Sequence, residues 1–561
     1  MPDIFYILLR RLRTPIISLL VIYAVSILGF VLIPGQDADG KPWPMSFFHA
    51  FYFVSYTAST IGFGEIPYAF TDAQRMWTMV VIYLTVIGWL YSIGALLAIM
   101  QDPAFRKLRS EYVFQRAVCR LRTPFYLVCG YGDTGSILVQ ALADEGIKSV
   151  VIDKEETRIN ELELSDHIRR PLGLVGDASI PAVLQVAGIT NNYCVGVIAL
   201  TDSDQTNLMV ALSAHLLNPG LRVLARADSS EAEANIRSFG KNEVINPFET
   251  FAGRLALALH SPGIYTLYTW MTGIPHEPLQ EPLFPVCGYW VICGYGRFGK
   301  ALHRRLTAAN IQCGIIEADP ESARAPAGTV HGSGAEAATL LDAGLKKAVG
   351  IVAGTNNDAN NLSILMTARE LQHKLFMVAR QNQRDNAIIY EKAGFDLIMK
   401  RGDVIAHKIF ALLRTPLISD FLDAIHQRDN AWANQLVSRI LGITSDEVPY
   451  LWEIKISKGR TPALYRNCLS RIVTLEDLLR DPRDRLRKLP AIPLLLKRDG
   501  ESLVLPEGDT VLEVSDRLLM CADYPTSHEM EWATQNENVL HYLLTGQETS
   551  GGGLWKVLIT K

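Results

Sequence analysis

Two kinds of short pattern in this chain carry residue types suited to chemistry. The first is Tyr126-Leu-Val-Cys-Gly-Tyr-Gly-Asp-Thr-Gly135, which recurs as Trp290-Val-Ile-Cys-Gly-Tyr-Gly-Arg-Phe-Gly299. In each, a run of β-formers breaks into Gly-x-Gly-x-x-Gly and passes into a helical apolar pattern. An acid, Asp153 or Glu317, follows 23 residues after the first glycine at the end of a second strand-like run. Glycines there permit a tight turn and close approach of phosphates to a helix N-terminus. The acid is placed to bond a ribose 2′-hydroxyl and to oppose a 2′-phosphate, which favours NAD or an adenine nucleotide (ADP, ATP or AMP) over NADP. The candidate cofactor residues are Gly130, Tyr131, Gly132, Asp133, Thr134, Gly135 and Asp153, with Asp177 from Gly176-Asp177-Ala178. In the second copy they are Gly294, Tyr295, Gly296, Arg297, Phe298, Gly299 and Glu317, Arg297 being a candidate phosphate contact. The place of Asp177 there is taken by Gly332-Ser333-Gly334.

The second pattern is Thr57-Ala-Ser-Thr-Ile-Gly-Phe-Gly-Glu65, which stands between apolar runs. The preceding aromatic run, 47–57, suits a short helix too short to cross a bilayer. Non-helical backbone at membrane depth is tolerated only where protein or a watery cavity surrounds it. Thr60, Ile61, Gly62, Phe63 and Gly64 would supply successive carbonyls, and four copies around an axis would give carbonyl rings able to replace the hydration shell of a potassium ion. Glu65 is placed to brace the loop or to add charge at its outer mouth.

These patterns need elements to position them. Pro15 to Ile33 has no charged residue over 19 positions, and Met76 to Met100 has none over 25. At about 1.5 Å per residue each can cross a hydrocarbon core about 30 Å thick. The first run lacks a small-x-small cleavage pattern, which argues against a signal sequence. Arg10, Arg11 and Arg13 precede it, and Arg106, Lys107, Arg109, Arg116, Arg120 and Arg122 follow the second run. Charge bias assigns both flanks, and so both termini, to the cytoplasm. Residues 34 to 75 then face outward or re-enter the bilayer.

The remainder repeats itself. Thr201-Asp-Ser-Asp-Gln-Thr-Asn-Leu208 parallels Thr355-Asn-Asn-Asp-Ala-Asn-Asn-Leu362, Ala225-Arg226 parallels Ala379-Arg380, and Gly240 parallels Gly394, all at an offset of 154. Strands alternate with helices in both copies, which predicts two doubly wound α/β units at about 123–270 and 287–430. Beyond 430, Leu503 to Leu505, Val511-Leu512 and Trp555 to Thr560 read as short strands of a small α+β lobe, and Gln547 to Gly553 as a polar turn or gap in order.

Of the 561 residues, 49% are hydrophobic and 20% charged. The net charge of −4 excludes a generally basic nucleic-acid binder. The eight cysteines lack metal-ligand spacing and read as buried small hydrophobes in a reducing compartment. No residues form a hydride-transfer or proton-transfer site, so an enzyme is not expected.

Thr57 to Gly64 closely resembles the signature of potassium channels, with Ile61 and Phe63 where valine and tyrosine are usual. Over residues 1–545 the chain looks like a prokaryotic two-transmembrane potassium channel with tandem RCK domains, also called TrkA-N domains. The resemblance implies a pore domain over 1–105 (spans 15–33 and 76–100, pore helix 47–57, filter 60–64) and a linker over 106–122. It further implies RCK domains over 123–270 and 287–430 and a TrkA-C-like lobe over 431–561. In that family four chains form one pore in the plasma membrane, and eight RCK domains form a cytoplasmic gating ring whose ligands pull on the inner helices. Calcium-gated relatives use a carboxylate cluster in the first RCK domain. Asp202 and Asp228 stand at matching places, but Arg226 replaces a glutamate and would oppose a cation there; calcium elsewhere in the ring stays open, with Glu336 and Asp358 as candidates. The alternative is a Trk-type regulatory subunit that binds nucleotide and controls a separate transporter.

Overall fold

The computed structural model describes residues 2–64, 67–166, 169–240, 242–275, 277–444 and 446–548, so Glu65 and the Trp555–Thr560 strand expectation lie outside the described residues. The chain divides into two compact units, Met1–Arg120 and Leu121–Lys561.

In the first unit, α1 (Pro2–Leu32) and α3 (Asp72–Gln101) flank a shorter α2 (Phe47–Ala58). Within α1 the segment Leu12–Leu32 is long and apolar enough to cross a membrane, as is the whole of α3. The α1 helix begins well before the apolar run and continues through Pro15, which stands inside it where the run starts. Ser46 caps α2 by accepting the His49 amide, and Thr71 with Gln74 forms a capping box that starts α3. The core is Phe30, Met45, Ala50, Phe53, Val54 and Val81. Gly29 lets α1 approach α3, since a Cβ there would lie 2.1 Å from the Trp77 ring, whose Nε1–H donates to the Ser26 carbonyl at 3.1 Å. Gly88 has a packing role: a Cβ would meet Ile22 Cδ1 at 2.6 Å.

The stretch expected as a linker is largely helical. Asp102 ends α3 with extended backbone and caps α4 (Pro103–Cys119), accepting from the Ala104 and Phe105 amides. Proline at the first position of α4 makes this junction a helix start rather than a continuation.

The second unit holds two six-stranded parallel sheets. The first comprises β1 (Phe125–Cys129), β2 (Lys148–Asp153), β3 (Leu172–Val175), β4 (Cys194–Ala199), β5 (Arg222–Arg226) and β6 (Asn242–Ile245), ordered β3-β2-β1-β4-β5-β6. The second repeats this order with β7 (Tyr289–Cys293), β8 (Cys313–Glu317), β9 (Val330–His331), β10 (Ala348–Ala353), β11 (Phe376–Gln381) and β12 (Leu397–Lys400), as β9-β8-β7-β10-β11-β12. Each order reverses beside its first strand, and ligands of such sheets bind in the crevice at that point.

Four helices link the two sheets. In the first sheet α5 (Asp133–Asp144) follows β1, and α6 (Pro247–His260) follows β6; in the second, α7 (Arg297–Ala308) follows β7, and α8 (Arg401–Arg414) follows β12. The helix directly after the last strand of each copy crosses to the other: α6 packs on α7, and α8 packs on α5. Phe248, Phe251 and Leu255 of α6 share a core with Trp290, Phe298 and Leu302 of the second copy.

The C-terminal lobe is a four-stranded antiparallel sheet of β13 (Tyr450–Lys455), β14 (Ile492–Arg498), β15 (Glu501–Val504) and β16 (Arg517–Ala522), ordered β13-β16-β14-β15. Val511 contributes only an isolated bridge to Thr474. Strands β13, β14 and β16 were not expected, since β14 is an apolar run interrupted by Pro493, which coincides with a register shift against β16. Cys129, Cys194, Cys293 and Cys521 are buried and free, as expected, but Cys119 and Cys287 are exposed.

Candidate functional site

The first glycine turn opens into a cavity of about 900 Å³. Gly130, Gly132, Asp133, Thr134, Asp153 and Asp177 line it, so six of the eight residues singled out in the first copy meet there. Tyr131 and Gly135 do not. The Tyr131 side chain is buried in the core of the first sheet, and Gly135 supports the turn from behind.

Each glycine has its own physical reason. Gly130 has φ +104°, and a Cβ there would come within 3.0 Å of the backbone of Leu200 and Thr201. A Cβ on Gly135 would lie 2.1 Å from the Gly130 carbonyl oxygen, so α5 can approach the turn only without one. Gly132 differs: its nearest neighbour would be the Arg158 guanidinium at 3.5 Å. No packing demands a glycine there. Its missing side chain leaves the start of α5 open to the cavity, which suits an anion at the helix N-terminus.

Asp153 is buried and serves the turn. Its Oδ2 accepts the Tyr131 amide at 2.7 Å, its Oδ1 accepts the Glu155 amide at 2.9 Å, and Arg158 lies 3.5 Å away. Glu317 does the same in the second copy, accepting the amides of Tyr295 and Ala318. The acid in each copy therefore braces the glycine turn. Asp177 accepts the Ser179 amide at 2.8 Å, and hydrogen bonding from Ser179 holds its carboxyl below the usual range.

The opposite wall of the cavity comes from the second copy, through Gln381 at the end of β11, Asn382 to Arg384 after it, and Arg401, Gly402, Asp403 and His407 of α8. None of these was singled out from sequence, because no spacing within the chain reports a wall supplied by the other repeat. The Arg384 Nη1 donates to Ser136 Oγ at 3.5 Å. Asp358 supports that loop: it accepts from the Asn382 and Gln383 amides at 2.7 and 3.0 Å and from the Asn382 and Asn386 side chains at 2.8 Å each. Burial raises its pKa, and these hydrogen bonds outweigh that and lower it. Its lone pairs are taken by the loop. Glu336 stands at the start of the Ala337–Asp342 helix, where its carbonyl accepts the Thr339 hydroxyl.

Arg226 sits between the two carboxylates considered for a cation. It donates to Asp228 through Nε and Nη2 at 2.8 and 2.9 Å and to Asp202 through Nη1 at 2.9 Å. Arg401 adds contacts to Asp228 and Asp202 at 3.4 and 3.5 Å, and Arg297 lies 3.8 Å from Asp228. Arginine meets both charges. Among the described residues no group of three or more His, Cys, Asp or Glu is arranged to hold a metal ion.

In the first unit, the residues after α2 alternate in handedness. Thr60, Gly62 and Gly64 have φ of +63°, +66° and +74°, while Ile61 and Phe63 between them do not enter the left-handed region. The Ile61 amide donates to the Tyr56 carbonyl at 3.0 Å, tying the strand-like stretch to the end of α2. A Cβ on Gly62 or Gly64 would meet nothing within 4 Å, and Ile61 and Phe63 are exposed.

Comparison with known proteins matches residues 126–247 and 290–400 to the TrkA-N domain, and residues 16–102 to the ion channel family. Probable potassium channel protein 2 of Methanocaldococcus jannaschii is 28% identical over 242 residues, which is 43% of this chain and 68% of that protein. Potassium channel protein 1 of the same organism is 25% identical over 257 residues, 46% of this chain and 72% of that one. Among solved structures, the GsuK channel bound to NAD aligns at 16% identity over 94% of this chain and 99% of its own, with a TM-score of 0.47. The chain carries an ion-channel domain and two TrkA-N domains, and it is homologous to prokaryotic potassium channels.

Proposed function

We propose that this chain is the subunit of a potassium-selective channel of the prokaryotic plasma membrane, gated by a nucleotide held at the Gly130–Gly135 turn. Supporting the pore are two apolar helices around a short, capped helix, and a glycine stretch of alternating handedness tied to its end. That alternation lets successive carbonyls turn to one side, as a carbonyl-lined ion path requires. In this reading α2 is the pore helix, Thr60 to Gly64 the filter, and residues 1–105 the pore domain. One chain supplies one filter strand, so four chains surround the path. The exposed apolar faces of α1 and α3, including Leu20, Tyr83 and Leu90, meet lipid or neighbouring copies.

Residues 123–270 and 287–430 then act as paired RCK domains, eight per tetramer, with 431–561 as the C-lobe. Both termini lie in the cytoplasm, and 106–122 transmits force to α3. The single observation that carries the ligand reading is Gly132, a glycine that packing does not require, facing a large cavity at a helix start. The negative charge of Asp153 in the cavity wall opposes a 2′-phosphate, which favours NAD or an adenine nucleotide over NADP. Such a ligand shifts the gate only by binding one state of the ring more tightly than the other. Divalent ions such as calcium would act at another place than Asp202 and Asp228, whose charges Arg226 meets.

Potassium flux into liposomes containing only this chain tests the reading. A channel gives selective flux without another protein, whereas a regulatory subunit of a separate transporter gives none.

A further inference from the structure

The two copies treat their glycine turns unequally, and the difference lies in the helices they exchange. Position 248, in the first turn of α6, corresponds at the repeat offset of 154 to position 402 in α8; the first is phenylalanine and the second glycine. Gly402 lies against the first turn of α5, where a Cβ would come 3.1 Å from Asp133 Cβ and 3.3 Å from the Thr134 amide nitrogen. It lines the cavity without filling it. Phe248 is only 2% exposed and lies against the first turn of α7. Its ring centroid is 6.3 Å from that of Phe298, and the guanidiniums of Arg297 and Arg380 lie 5.5 and 5.1 Å from its own. Gly296 remains open, with no atom within 4 Å of a Cβ. The N-cap glycine is therefore open in both copies, and the contrast lies in the first turn that follows it, where Phe248 meets Phe298 and Gly402 meets Asp133 and Thr134.

The basic groups differ in the same sense. Arg297, at the place of Asp133, is turned toward Asp228 of the first copy. In the first copy's cavity, Arg384 has no carboxylate within salt-bridge distance among the described residues and reaches Ser136 on α5. A cation so placed faces the space over the helix start from the other repeat.

We infer that each chain holds one nucleotide, in a composite site whose turn comes from the first repeat and whose phosphate-facing cation, Arg384, comes from the second, while Phe248 closes the corresponding place in the second repeat. This rests on the nucleotide reading above. Bound ligand then bridges the two repeats, so occupancy changes how they are held together.

Calorimetric titration of the full-length tetramer with NAD, and separately with ADP, tests it. The expected stoichiometry is one per chain. Arg384→Gln, at an exposed position, should leave the ligand-free melting temperature unchanged, weaken binding about tenfold or more as a charge-assisted contact is lost, and shrink the ligand-induced rise in melting temperature. Arg384→Lys should recover part of the affinity. Two ligands per chain, or unchanged affinity in Arg384→Gln, overturns the composite single site while leaving nucleotide binding intact. No binding of either ligand to wild type overturns the nucleotide reading itself.

Discussion

The Tyr131 amide donates to Asp153 Oδ2 at 2.7 Å across 22 residues of chain, and the Tyr295 amide makes the same bond to Glu317. The acid that closes each second strand thus fixes the glycine turn that follows the first strand. Replacing Asp153 by alanine leaves a buried amide unpaired, which costs about 1–3 kcal/mol. Asp153→Ala should lower stability in urea unfolding by about that amount and weaken nucleotide binding. Asp153→Asn keeps one acceptor oxygen for the Tyr131 amide but sets its NH2 against the Glu155 amide, so it should recover only part of the stability.

The three glycines of the first turn separate folding from binding. Gly135→Ala places a Cβ 2.1 Å from a backbone carbonyl and should destabilise the fold severely. Gly132→Ala meets only the end of the Arg158 side chain, at 3.5 Å. It should melt near the wild-type temperature yet bind nucleotide at least tenfold more weakly. Paired melting and titration experiments check both, and equal affinity in Gly132→Ala would remove the anion-site argument.

Much of this cavity's near wall is legible in the sequence. Strand, glycine turn, helix and acid follow one another locally, so their types and spacing announce the crevice. The far wall was not legible, because it depends on helices exchanged between repeats. Nothing in the local pattern of Gly402 or Arg384 says which turn it will face. Asp153 is half visible in the same way: its place at the end of a strand follows from the local pattern, but its bond to Tyr131 emerges only from the parallel register of β1 and β2. The C-terminal lobe was poorly legible, since its strands lack clear alternation.

Arg226 and Asp228 give a pH-dependent contribution. Their side chains are 4% and 5% exposed and lie 2.8 Å apart. Burial raises the Asp228 pKa, but hydrogen bonds and charge from Arg226, with Arg401 and Arg297, outweigh it and hold the carboxyl below its usual range. A depressed carboxylate stabilises fully above the unfolded value, near 4, and loses that contribution as pH falls through the folded value. Asp228→Asn should therefore cost about 3–5 kcal/mol at neutral pH, with the gap from wild type closing on acidification. Urea unfolding across that range checks it; a gap independent of pH would contradict the ion pair.

In the pore unit, Gly62 and Gly64 occupy left-handed backbone that costs other residues about 1–2 kcal/mol. Gly62→Ala or Gly64→Ala should abolish potassium-over-sodium selectivity in bilayer recordings while leaving assembly and nucleotide binding unchanged. Retained selectivity would show that this stretch does not line the ion path.

This chain alone should conduct potassium under control of a nucleotide at the first glycine turn. Single-channel recording of the purified protein, with NAD and adenine nucleotides titrated against wild type and Gly132→Ala, tests it most directly. The account predicts potassium-selective openings whose probability changes with nucleotide in wild type, and a response shifted to higher concentration in the variant. Openings indifferent to every nucleotide, or no potassium current from correctly folded tetramers, would contradict it.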